Sequence, residues 1–272
     1  MIYLYAYTNH KENLDSLRRV KAIYDAFKKE GIEVEILVNE YRAQLLARDW
    51  GLPLATTIET IKDIDAVADV EDIVIIDSPE ELEGKVLNYG RYFKKLIYIN
   101  STCKDAKIKE AININLRKDG YIYSEIKDKN LKDKTIFIYG DSDYEKTILK
   151  NLDLFKDKNL DLYWGNYFFV KYEDTLAKVF NKIIEPEEYY EVLKEYKNII
   201  TSSIQVAVET KANGLNVGFL ELVPLNECKM NFLKKSNIEI KNSINFTYKT
   251  SKDNIIINNL DKEIVKITKN YM

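Results

Sequence analysis

Short apolar segments alternate along this chain with longer segments whose apolar residues recur at helical spacing. Residues 2–7 are a segment of the first kind and predict a buried strand. Residues 14–30 are of the second kind, because Leu17, Val20 and Phe27 fall on one face of a helix. Such alternation is typical of βαβ units, which build a parallel sheet.

The same alternation runs through two successive halves of the chain. In the first half we predict strands at 2–7, 32–38, 72–76, 96–99 and 111–116, and helices at 14–30, at 41–50 and after Pro79. In the second half we predict strands at 135–139, 160–164, 198–200 and 215–222, and helices at 144–154, 173–184, 186–196, 203–213 and 225–235. After these, residues 238–257 resemble β-structure and residues 260–269 predict a final helix.

A polar, lysine-rich stretch separates the halves and sets the expected domain boundaries. We expect an N-terminal Rossmann-like domain at 1–117, a linker at 118–134 and a C-terminal Rossmann-like domain at 135–236. Residues 237–272 form a tail whose packing against the first domain stays open. The predicted fold class is therefore α/β, with two Rossmann-like domains whose parallel sheets face a cleft.

Composition and charge exclude several classes of protein. The chain has 272 residues, with 41 basic and 44 acidic side chains closely interleaved, and no basic stripe that would predict a nucleic-acid partner. It shows no signal-peptide pattern and no apolar run near the roughly 20 residues of a membrane span, so we expect a cytoplasmic protein without an integral membrane segment. One histidine and scattered carboxylates predict no metal site.

The most informative stretch runs from residue 201 to residue 214. Ser202 and Ser203 follow a predicted strand and open a helix, Glu209 lies inside that helix, and Gly214 ends it. Backbone N–H groups at a helix N-terminus suit a phosphate, and a carboxylate further along can accept hydrogen bonds from a ribose diol. Without a ligand, the same serines are simply helix caps and the glutamate a solvated helix residue.

This arrangement resembles the GT-B superfamily, in particular the UDP-sugar hydrolase of pseudaminic acid biosynthesis and the UDP-N-acetylglucosamine transferases of cell-wall synthesis. Those proteins carry a Ser/Thr-rich turn, then a helix with Glu, four variable residues and Gly, and then a strand. The resemblance implies that Ser202, Ser203, Gln205 and Glu209 bind the nucleotide.

A second point of resemblance follows the strand that opens the second half. The relatives carry Gly-Gly-Ser or Gly-Gly-Thr followed by Asp there, which implies that Gly140 and Ser142 contact the diphosphate. In this chain Asp141 replaces the second glycine, and a fixed negative charge beside a pyrophosphate is repulsive unless a cation intervenes. The alternative is that residues 141–143 cap a helix.

The third point is the loop after the first strand. The relatives have a glycine-rich turn with a catalytic histidine and an arginine three residues later. Aligning Arg18 with that arginine places Asp15 at the histidine position, while His10 lies earlier in the loop. The resemblance implies His10 or Asp15 as the catalytic base and Arg18 as a phosphate contact. The alternative is a solvent-exposed loop histidine, with Asp15 or Asn13 as the helix N-cap.

Together these features predict a nucleotide-sugar-utilising protein of glycosyltransferase or UDP-sugar hydrolase type, acting in surface or flagellar glycan synthesis. The resemblance implies a UDP-sugar as substrate, no separate cofactor, and a glycan or protein as the acceptor. The missing glycines and the missing aligned histidine favour an alternative, a catalytically degenerate GT-B-like protein that acts as a nucleotide- or protein-binding module.

Overall fold

The computed structural model describes residues 1–9, 13–167, 170–247 and 258–272. The chain divides into two compact units, one formed by residues 1–124 with 258–272 and the other by residues 125–257. The expected linker 118–134 is thus divided between the units, and so is the tail that follows residue 236.

The first unit is built on a six-stranded parallel sheet. Its strands are β1 (Ile2–Ala6), β2 (Glu35–Val38), β3 (Thr56–Thr57), β4 (Ile73–Asp77), β5 (Lys95–Asn100) and β6 (Ile112–Asn115). Its helices in the same stretch are α1 (Asp15–Lys29), α2 (Tyr41–Asp49) and α3 (Tyr89–Tyr92). The strands lie in the order β3-β2-β1-β4-β5-β6, with every neighbouring pair parallel. This is the strand order of the Rossmann fold.

The centre of this sheet explains why β1 and β4 contain almost only apolar residues. Every residue of both strands is buried, because helices or loops cover both faces of a parallel sheet. The helix α1 places Leu17, Val20 and Phe27 in the core, as their spacing predicts.

The second unit repeats this architecture. Its strands are β7 (Lys132–Ile138), β8 (Asp161–Tyr163), β9 (Ile183–Ile184), β10 (Tyr196–Thr201), β11 (Asn216–Leu220) and β12 (Glu239–Lys241). Its helices are α4 (Thr147–Lys150), α5 (Glu173–Leu176), α6 (Tyr189–Glu195), α7 (Ile204–Ala212) and α8 (Glu227–Lys235). The parallel order β12-β11-β10-β7-β8-β9 is again the Rossmann order, read from the opposite edge. The predicted fold class, with two Rossmann-like domains and parallel sheets, is confirmed.

The predicted helix at 173–184 is wrong beyond Leu176. The segment ends instead in β9, whose Ile183 pairs with Leu162 at the edge of the sheet. Leu176 and Phe180 still pack into the core of the second unit, so the apolar spacing identified buried positions but not the backbone conformation. A helical pattern of about twelve residues is only marginally stable by itself, so pairing with the edge of the sheet decides the conformation here.

Two other predicted helices are much shorter than expected. After Pro79 the chain forms a 3-10 helix at Gly84–Asn88 before α3, and the predicted helix 144–154 is reduced to α4 and a 3-10 turn at Leu152–Leu154.

The end of the chain returns to the first unit. The last helix, α9 (Asp261–Lys269), packs against α1, buries Ile264 and Val265, and forms an ion pair of 2.5 Å between Lys269 and Glu30. The β-structure expected at 238–257 is represented by β12, and residues 248–257 lie outside the described residues. In the part of the chain that the structure describes, no helix is long and apolar enough to cross a bilayer.

Candidate functional site

Each sheet has one point at which the strand order reverses, and ligands of such folds bind beside it at the carboxyl ends of the strands. In the second unit that point lies between β7 and β10. Their last paired residues are Ile138 and Thr201, and the N–H of Ser202 donates to the carbonyl of Ile138 at 3.1 Å. The segments 139–142 and 202–203 therefore leave the sheet side by side, which brings together two of the stretches that the sequence singled out.

The turn after β7 is tightly constrained. Gly140 has φ +147°, a conformation that favours glycine. The carbonyl of Asp141 accepts from the N–H of Tyr167 at 2.8 Å, and a Cβ on Gly165 would lie 2.3 Å from that carbonyl oxygen. The segment after β8 thus packs directly on the turn that contains Gly140 and Ser142, and the Asp141 side chain is fully buried.

The carboxylate of Asp143 accepts hydrogen bonds from the protein's own backbone. It accepts from the N–H of Thr147 at 2.5 Å and from that of Ile148 at 2.9 Å, so it caps α4. Burial is the main influence on its pKa and raises it, although the two backbone donors act in the opposite direction. Asp143 thus satisfies backbone donors at the start of α4, as the capping alternative expects, although the N-cap position itself is Lys146.

The hydroxyls at the start of α7 are also engaged with the backbone. Ser203 is the N-cap, and its hydroxyl accepts from the N–H of Val206 at 3.2 Å. The hydroxyl of Ser202 donates to the carbonyl of Leu220 at 2.7 Å. A phosphate at this position would therefore be bound chiefly by the backbone amides that open α7, with the two serines shaping the turn.

Glu209 is fully buried in α7 and is held by a neighbouring helix. The hydroxyl of Tyr189, at the start of α6, donates to Oε2 of Glu209 at 2.8 Å. The expectation that Glu209 is a solvated helix residue is therefore wrong. Gln205, one turn earlier in α7, is buried as well. The helix ends at Ala212, and Gly214 follows with φ +73°, as expected for a glycine that terminates a helix.

In the first unit the candidate residues make protein contacts. His10 lies outside the described residues. Asp15 opens α1 and forms an ion pair with Arg18 at 3.3 Å. Arg18 is fully buried, with its guanidinium 5.4 Å from the centre of the Trp50 ring. The role of Arg18 as a phosphate contact stays a prediction, as does catalysis by His10 or Asp15.

Arg19 belongs to a buried network at the end of β4. Its guanidinium binds both carboxylate oxygens of Asp77, and Ser16 bonds to both partners. Burial is the largest influence on the pKa of Arg19 and lowers it, but Asp77, with smaller contributions from Asp15 and Tyr121, raises it above the usual value. This arginine is consequently a structural cation.

The fold matches solved structures, whereas no protein-family model and no curated protein matches the sequence. The UDP-GlcNAc 2-epimerase of Methanocaldococcus jannaschii, solved with UDP-GlcNAc and UDP, has a TM-score of 0.50 at 14% identity, covering 99% of this chain and 100% of that one. A glycosyltransferase involved in avilamycin A biosynthesis has a TM-score of 0.55 at 12% identity, covering 99% and 96%. This chain has the GT-B fold.

Within this GT-B chain, the sequence does not identify two residues that hold or carry a hydrogen-bonded carboxylate, Tyr189 at the start of α6 and Glu80 after β4. Tyr189 lies inside the predicted helix 186–196, and its hydrogen bond to Glu209 spans 20 positions, so no local spacing marks it. Glu80 lies three residues after the end of β4, in a segment that was interpreted only as the start of a helix. The sequence feature that could have identified Glu80 is its charge at a position directly after Asp77-Ser78-Pro79, where the apolar strand ends.

Metal-ligating side chains are dispersed over the described part of the chain. No group of three or more His, Cys, Asp or Glu residues there is arranged to hold a metal ion.

Proposed function

We propose that this GT-B chain binds a nucleotide sugar, with the diphosphate and the ribose held by the second unit. The observation that carries the proposal is the pairing of Ile138 with Thr201, because it sets the turn after β7 beside the start of α7. Backbone amides and a helix N-terminus at one sheet edge favour an anion. The solved 2-epimerase with the same fold contains UDP-GlcNAc and UDP.

The proposed contacts follow from this placement. The backbone at Gly140 and Ser142, and the amides that open α7 after the turn shaped by Ser202 and Ser203, bind the diphosphate. Gln205 and Glu209 follow in α7, and the Glu209 carboxylate accepts from the ribose hydroxyls. Because Glu209 is shielded from solvent, the side chains that cover it have to move when the nucleotide binds.

The proposed reaction is a displacement at the anomeric carbon of the sugar, with the nucleoside diphosphate as the leaving group. The attacking hydroxyl comes from a glycan or protein acceptor, or from water in the hydrolase case, and His10 or Asp15 takes its proton. Arg18 contacts a phosphate. The setting we propose is surface-glycan synthesis.

Titration calorimetry with UDP, 2′-deoxy-UDP and UDP-N-acetylglucosamine tests the binding step. We expect a Kd of about a millimolar or tighter for UDP. Glu209→Gln should weaken UDP binding about tenfold, since a hydrogen bond to a charged group contributes about 1.5–3 kcal/mol. Tyr189→Phe is the matched control, because it removes the same buried hydrogen bond but keeps the carboxylate.

The deoxynucleotide separates a ribose contact from a structural role of Glu209. The wild-type protein should prefer UDP over 2′-deoxy-UDP, and the Glu209→Gln variant should lose that preference while the Tyr189→Phe variant retains it. If none of the three nucleotides binds saturably, the proposal is wrong.

The ion pair of Asp15 with the buried Arg18 favours a second candidate function, a nucleotide-binding module without turnover. In that case UDP and UDP-N-acetylglucosamine bind, but prolonged incubation yields no free sugar and no glycosylated acceptor. Release of N-acetylglucosamine from its UDP conjugate would exclude this candidate.

A further inference from the structure

An asparagine followed by a glycine occurs once in the sequence, at Asn213-Gly214, directly after the last residue of α7. Such a pair is chemically unstable in a flexible chain. The backbone nitrogen of Gly214 attacks Cγ of Asn213 and loses its proton, and Nδ2 leaves as ammonia, so that a five-membered succinimide forms. Water then opens either carbonyl of the ring and gives aspartate or isoaspartate. Glycine favours the reaction because it has no side chain to hinder the attack.

Both polar atoms of the Asn213 side chain form hydrogen bonds in the folded protein. Its Oδ1 accepts from the N–H of Ile126 at 2.7 Å, and its Nδ2 donates to the carbonyl of Glu209 at 2.8 Å. Asn213 and Ile126 are each only 8% exposed. Rotation of the amide toward the backbone of Gly214 would therefore break two buried hydrogen bonds.

The attacking nitrogen of Gly214 is also held away from the reaction. Its N–H donates to the carbonyl of Lys211 at 3.0 Å, so the proton that must be lost is bound by the end of the helix. Asn213 has ψ 5°, which turns the nitrogen of Gly214 toward the backbone nitrogen of Asn213 and away from its Cβ. The folded conformation thus opposes the reaction at both atoms that must join.

One more contact holds the segment 125–129 against the end of α7. Nζ of Lys129 donates to the carbonyl of Asn213 at 2.5 Å. Residues 127–130 are exposed and belong to no helix or strand. A segment with so little burial opens at a free energy well below that of global unfolding. Its opening removes the donors to Oδ1 and to the carbonyl of Asn213 together.

We propose that Asn213-Gly214 is a site of spontaneous deamidation that the segment 125–129 protects, and that its conversion releases this segment from α7 permanently. Aspartate at this position has no N–H donor for the carbonyl of Glu209 and places a carboxylate oxygen beside it. Isoaspartate in addition lengthens the main chain by one carbon atom at the tight turn of Gly214. A converted molecule therefore cannot restore the original contact.

Peptide mass spectrometry of the full chain, incubated at mildly alkaline pH with and without urea, tests the proposal. Asn242-Ser243 is the internal reference, because Asn242 is exposed and the serine side chain hinders the attack. In the folded protein Asn242 should convert faster than Asn213. In urea the order should reverse, with the rate at Asn213 relative to Asn242 rising at least about tenfold.

Two lysine variants test the protection by the segment. Lys129→Met removes a donor to Asn213 and should raise the rate at Asn213 in the folded protein about threefold, because the segment then opens more easily. Lys127→Met, the same change at an exposed neighbour, should leave the rate unchanged. The proposal is overturned if Asn213 converts as fast in the folded protein as in urea, if it does not convert in urea, or if the two variants behave alike.

The variant Asn213→Asp measures the consequence of conversion. It should unfold at a lower urea concentration than the wild type, whereas Asn242→Asp should unfold as the wild type does. Equal midpoints for Asn213→Asp and the wild type would overturn the release of the segment. None of these measurements involves a nucleotide, so their outcome is independent of UDP binding by the second unit.

Discussion

Arg19 and Asp77 form a buried bidentate ion pair, with Nε and Nη2 of the arginine 2.6 and 2.7 Å from the two carboxylate oxygens. The pair connects the second turn of α1 to the last residue of β4, beside the strand-order reversal of the first sheet. Both side chains are almost inaccessible to solvent, so neither charge can be left without its partner.

We predict that Asp77→Asn destabilises the protein by about 3–5 kcal/mol, because the Arg19 guanidinium is then buried without its counter-charge. Urea unfolding measures the loss. The double variant Arg19→Met with Asp77→Leu should recover most of it, since an apolar pair of similar size removes both charges. A single variant as stable as the wild type would contradict the structural role of the pair.

Little in the sequence identifies this pair. Arg19 and Asp77 are separated by 58 positions, and charged residues at a helix start or a strand end are common. The alternation of apolar segments, in contrast, predicted both sheets, because a strand buried on both faces needs a continuous apolar run. The sequence does not predict the two-residue strands β3 and β9. Thr56–Thr57 and Ile183–Ile184 are too short for an alternating apolar pattern, and they are strands only because they pair with a neighbouring strand.

The sequence predicts where the strands beside the candidate site end, but it does not predict which side chains contact each other there. The strand ends at Gly140 and Ser202 could be located because glycine and hydroxyl residues interrupt the apolar runs there. The partner of Glu209 could not, because Tyr189 reaches it from another helix through tertiary packing. The same holds for Glu80, whose three donors come from separate segments.

Gly165→Ala should destabilise the protein and weaken UDP binding. A methyl group at this position would lie 2.3 Å from the carbonyl oxygen of Asp141, so the turn at Gly140 must shift, and such overpacking typically costs about 1–3 kcal/mol. Gly51→Ala is the matched control, because its Cβ would meet no atom within 4 Å and only its φ of +80° opposes the change. An unchanged UDP affinity in folded Gly165→Ala would show that the turn takes no part in binding.

The stability conferred by Asp143 should decrease as the pH rises. Its pKa is raised by burial, so the folded state holds the proton more tightly than the unfolded state does. Relative to Asp143→Asn, the wild-type protein should be most stable below about pH 4, the ordinary carboxyl value, and lose stability as the pH passes through the folded pKa. Urea unfolding of both proteins at several pH values measures this difference.

Asp153→Asn supplies a control of opposite sign. The hydrogen bond and the charge of Lys156 lower the pKa of Asp153, so the wild-type advantage over this variant should shrink as the pH falls. Equal slopes for the Asp143 and Asp153 variants would contradict the assignment of the Asp143 shift to burial.

The most direct test of nucleotide binding by the second unit is a backbone amide NMR titration of the full chain with UDP. We predict saturable shifts that are largest at Gly140, Ser142, Ser203 and Gln205, which flank the ends of β7 and β10, and small shifts at the strand ends of the first sheet. Saturable shifts confined to the first unit, or no shifts up to millimolar UDP, would contradict the account.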